Sequence, residues 1–137
     1  MSDRAARLWA LAAAGAFLAL AFAIRAVDDG ALRQYSGTAL YASMIYAGVF
    51  FIRPRTTPLV AGAAAVAFCW AMEVFQLTGV PAELSDRSLL ARYVFGVKFD
   101  PVDLAWYPVG VVPLVLAHLL VLRKFHSATR ADTAARR

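Results

Sequence analysis

Four long stretches of this sequence carry almost no charge, and they constrain its fold more than any other feature. Residues 8–24, 34–52 and 104–122 have no charged side chain, and residues 59–80 have one, Glu73. A bilayer span needs about 20 mostly apolar residues, and a helix spans because it satisfies every backbone N–H and C=O internally. The expected fold is an all-α membrane protein, a four-transmembrane-helix bundle. Apolar residues make up 61% and charged residues 17% of the 137, a balance that argues against a soluble core. Residues 1–122 are read as one domain and residues 123–137 as a basic, disordered cytoplasmic tail.

Taken in order, Arg4 and Arg7 precede the first run. That run exceeds the roughly 7–15 residues of a signal-peptide core, so it reads as a retained helix. The second run has Ser36 or Thr38 as candidate caps. A basic, proline-bounded turn at residues 53–58 leads to the third. Residues 81–100 form the longest connection. There Ser85 is expected to cap a short interfacial helix ending at Gly96, with Leu89, Leu90, Tyr93, Val94 and Val97 on its apolar face. The fourth run contains Pro108 and Pro113, which remove N–H donors and are expected to kink it.

The net charge of +5 is scattered over short segments, so it sets topology and calls for no nucleic-acid partner. Nine basic residues (Arg4, Arg7, Arg53, Arg55, Arg123, Lys124, Arg130, Arg136, Arg137) fall on one side of the spans. Five (Arg25, Arg33, Arg87, Arg92, Lys98) fall on the other. The richer side is expected to be cytoplasmic, which puts both termini inside a bacterial inner membrane.

Glu73 is the candidate functional residue, because an ionisable group inside a span is costly and marks a functional hypothesis. Gln76 shares its helix face. Asp103, Tyr107 and Gly110 form a stripe at i, i+4 and i+7 on the last helix, just after Asp100. If that stripe faces the third helix, these residues make one outward polar pocket, with Arg33 and Arg92 as counter-charges and Asp29 nearby. Plainer roles compete. Asp100 before Pro101 suits an N-cap, Asp103 a favoured first-turn acid, and Glu73 an ion pair with Arg33 or Arg92 that locks the bundle. The lone Cys69 permits no internal disulfide, and His118 has no second ligand beside it. Without nucleotide loops, HExxH or GxSxG, no cofactor, metal or catalytic set is expected.

The pattern Asp29-x3-Arg33-x3-Gly37, then Glu73-x2-Gln76, then Arg92-x3-Gly96-x2-Phe99-Asp100-x2-Asp103-x3-Tyr107-x2-Gly110, resembles the DUF2809 family of small bacterial membrane proteins. The likeness runs from about Ala26 to Gly110. This chain has Thr38 where the family often has an acid. A looser likeness is to VanZ-like proteins, which implies an outer-face role in envelope chemistry. Two functions are expected, the first as the leading reading and the second as its alternative. One is an outward polar site for an envelope ligand or lipid head group. The other is a structural or partner-binding membrane protein whose buried charges only fix helix packing. An intramembrane acid/base pair of Glu73 and Asp103 lacks a nucleophile.

Overall fold

The computed structural model describes residues 1–135, which form six helices and no strand. They are α1 (Asp3–Val27), α2 (Ala31–Ile52), α3 (Pro58–Gln76), α4 (Val80–Arg87), α5 (Leu89–Phe95) and α6 (Asp103–Ala135). Four of them, α1, α2, α3 and α6, are long and apolar enough to cross a membrane.

Local chemistry sets the boundaries. The Ser2 hydroxyl accepts from Ala5 N and starts α1. Asp28 Oδ2 accepts from Gly30 N at 3.0 Å and Arg33 N at 2.9 Å, holding the first turn of α2. Neither expected cap serves there: Ser36 and Thr38 lie inside the helix, where Ser36 donates to the Arg33 carbonyl. Thr57 caps α3 with Pro58 in its first turn, where a missing N–H costs nothing.

The connection after α3 holds two short helices where one was expected. Ser88 takes an extended conformation (φ −149°) that stops α4, and its hydroxyl accepts from Ala91 N to start α5. Ser85 caps nothing; it is buried in α4 and donates to the Gly96 carbonyl at 2.8 Å. The last helix continues past Leu122, where the sequence reading began a disordered tail, as far as Ala135. Its Ala- and Arg-containing end has good helix formers, while Arg136 and Arg137 lie outside the described residues.

Small residues bring α3 and α6 together. Ala61, Ala65, Cys69 and Glu73, four apart on α3, are all 0% exposed. Opposite them Tyr107, Val111 and Val115, also four apart, are buried on α6. A Cβ on Gly62 would come within 2.6 Å of Val115 Cγ2. α2 packs against α1, α3 and α6. A side chain on Gly110 of α6 would run into the Ala39 carbonyl of α2, and the Ser43 hydroxyl donates to Gly110 O at 2.8 Å. Close backbone approach at small residues is how helices pack without a water-driven force.

Candidate functional site

Glu73 is the buried centre of the polar residues at one end of the bundle. It sits on the α3 stripe that faces α6, with 0% exposure. Its Oε1 accepts from Asp100 N at 2.6 Å, and its Oε2 accepts from the Tyr107 hydroxyl at 2.6 Å. Tyr107 is itself buried at 6%. A buried polar group left without partners is costly; here each carboxyl oxygen has one. The third helix is thereby tied to the turn that starts α6.

That turn is built by Asp100. Its Oδ1 accepts from Val102 N at 2.9 Å, and its carbonyl accepts from Asp103 N at 3.0 Å. Its Oδ2 takes a hydrogen bond from Gln34 Nε2 of α2 at 3.0 Å. Asp103 Oδ1 accepts from Thr38 Oγ1 at 2.9 Å. Thus Asp100 and Asp103, both half-buried, link α2 to α6 while Glu73 links α3 to the same turn.

Gln76 forms an interhelical hydrogen bond, to the end of α5 and not into the Glu73 cluster. Its Nε2 donates to Phe95 O at 2.8 Å, and its buried Oε1 has no hydrogen-bond partner among the described residues. Tyr41 donates to Val94 O at 3.0 Å, and Ser85 to Gly96 O. Three consecutive carbonyls at the end of α5, where a helix leaves acceptors unpaired, are therefore held from α2, α3 and α4. Gly96 turns the corner at φ +70°, and a Cβ there would lie 2.5 Å from Gln76 Nε2.

The expected counter-charges are elsewhere. Arg92 pairs loosely with Asp86, at 3.9 Å, and both are exposed. Arg33 contributes its backbone N–H to Asp28. Asp29 is exposed between α1 and α2 and makes none of the cluster's hydrogen bonds. No ion pair reaches Glu73 among the described residues. Its partners are a backbone amide and a phenol, which need no long cationic side chain to reach inward.

Three contributors escaped the sequence reading. Gln34 and Thr38, which the sequence marks only as the start of an apolar run and a candidate cap, are the α2 half of the cluster. Trp70, one turn before Glu73, donates its indole N–H to Leu104 O at 2.9 Å. Pro108 supplies the signal for that contact: lacking an N–H, it leaves the carbonyl four residues earlier, Leu104 O, without its helical donor.

Fold and cluster together define an all-helical protein with four potential membrane spans, fastened at one end by buried and half-buried polar residues. The chain belongs to the DUF2809 family, described as a protein of unknown function, whose family model matches residues 27–111. The match begins at the last residue of α1 and ends just past Gly110, so it takes in the whole cluster. No solved structure matches the chain.

Proposed function

We propose that this is a multi-pass protein of a bacterial inner membrane, spanning with α1, α2, α3 and α6, in which Glu73 is an internal tie. Its role is then structural or partner-binding, with the polar residues fixing how the helices meet. The observation that carries this reading is the occupancy of the Glu73 carboxyl: 0% exposed, one oxygen on Asp100 N, the other on the Tyr107 hydroxyl. Membrane insertion is supported by the apolar exterior, with Trp9 70%, Leu59 65% and Leu120 59% exposed, a surface a soluble monomer rarely presents. The excess of basic residues on the tail side supports cytoplasmic termini.

A second reading has its own support. Half-buried Asp100 and Asp103, with Gln34 and Thr38, surround the tie. A polar or cationic head group, from a lipid or an envelope ligand, would suit that mouth. Two variants separate the readings, scored for folded yield in detergent and for growth under envelope stress. The tie predicts that Glu73→Gln lowers yield and Asp103→Asn changes neither score. Loss of the growth phenotype in Asp103→Asn at wild-type yield would favour the ligand site instead.

A further inference from the structure

At the opposite end from Glu73, an open cleft of about 660 Å³ lies between the start of α1, the turn from α2 to α3, and α6. Its polar lining is Ser2 and Asp3 of α1, Arg55, Thr56 and Thr57 of the turn, and His118 of α6. The volume falls within the roughly 300–1,000 Å³ of ligand sites. Leu122 and Ala6 supply apolar walls. α1 packs along α2 and forms no comparable seam with α6, so the space between α1 and α6 is available to an acyl chain.

The lining favours an anion. Arg55 is the cation, 87% exposed at its side chain, and its only ion-pair partner among the described residues is Asp3, Nη2 to Oδ2 at 3.2 Å. His118 Nδ1 is 3.1 Å from the Tyr46 hydroxyl. In the tautomer in which Tyr46 donates to Nδ1, the imidazole hydrogen is on Nε2 and can be given to a ligand. The Thr57 hydroxyl accepts from Val60 N and retains its own hydrogen to donate. This is also the basic end of the bundle, with seven of the twelve basic residues and two of the nine acids among the described residues. An anionic leaflet is drawn to such an end, and basic pockets between spans bind phosphate-bearing head groups.

We propose that this cleft binds a phosphate group, carried by an anionic phospholipid or free in solution, with Arg55, Thr57 and His118 as donors and Asp3 as the competing acid. The lipid form rests on the membrane-spanning reading above. The test uses the full chain extracted in detergent, titrated by native mass spectrometry with phosphatidylglycerol, phosphatidylcholine and inorganic phosphate. The expected result is preferential retention of phosphatidylglycerol, weakened about tenfold by Arg55→Gln, as suits loss of one charge-assisted contact. Asp3→Asn is expected to strengthen retention, because it frees Arg55. Displacement of the lipid by millimolar inorganic phosphate would support the site with free phosphate as its ligand. Equal retention of the two lipids, unchanged by either variant, together with no phosphate binding, would overturn the proposal. Recovery of the chain in the soluble fraction without detergent would instead overturn the membrane reading, and the phosphate titration would still test the cleft.

Discussion

Replacing Glu73 by alanine removes both acceptors at once, and the structure sets what that should cost. The Asp100 amide and the Tyr107 hydroxyl would be left facing a void, each having lost a 2.6 Å bond. A buried donor without a partner costs about 1–3 kcal/mol, or roughly 2–6 kcal/mol for the two. Side-chain hydrogen bonds between membrane helices average only about 0.6 kcal/mol and reach about 1.7, which draws the expectation to the lower end, about 2–3 kcal/mol. Glu73→Gln keeps a carbonyl for the Asp100 amide and removes the charged acceptor of the Tyr107 hydroxyl, leaving an amide N–H that can only donate to it, so about 1 kcal/mol is expected. Tyr107→Phe should cost a similar amount. The two latter changes remove one shared bond, so the double variant should be less destabilised than their sum. The assay is the fraction remaining folded in detergent as temperature rises, read by size-exclusion chromatography. A Glu73→Ala protein with the wild-type midpoint, or strict additivity of Glu73→Gln and Tyr107→Phe, would refute the reasoning.

Other changes probe the surrounding packing. Gly110→Ala puts a methyl against the Ala39 carbonyl and should force α2 and α6 apart, with a folded yield far below that of Gly48→Ala, where a Cβ meets nothing within 4 Å. Trp70→Phe should destabilise by about 1 kcal/mol through the unpaired Leu104 carbonyl. Adding Pro108→Ala should recover much of that loss, because an alanine N–H can fill the same acceptor. A thermal midpoint that falls equally with and without Pro108→Ala would discount the compensation. Gly96→Ala combines a strained φ of +70° with a close approach to Gln76 and should expose the α5 corner to protease, detected as cleavage near residues 93–98. Neutralising the exposed Arg92–Asp86 pair should leave the midpoint nearly unchanged, since surface ion pairs contribute about 0–1 kcal/mol.

Much of this architecture is legible in the charge-free runs, because their length and apolar content imply helices almost without regard to detail. Helix limits were less legible, since short-range hydrogen bonds decide them. Asp28 moved the start of α2 back to Ala31, Ser88 divided one expected helix into two, and helix-favouring residues carried α6 beyond its apolar run. The burial of Glu73 against the start of the last helix followed from its helix position and the Asp103–Tyr107 stripe. Its partners did not follow. Sequence supplies the signs of Arg33 and Arg92 but not their reach, and Arg92 finds Asp86 on the neighbouring short helix instead. The backbone amide that does bind Glu73 has no sequence signature. Trp70 was readable in principle, from the acceptor that Pro108 leaves empty one turn above.

Hydrogen exchange at the Asp100 amide tests the central claim most directly, because that N–H is both the donor to Glu73 Oε1 and a reporter of water at the mouth of the bundle. A sealed tie predicts slow exchange in the wild-type protein, lost in Glu73→Ala while the α3 and α6 amides stay protected. An amide that exchanges in the wild type as fast as an exposed loop would mean that water reaches Glu73, and would contradict the account.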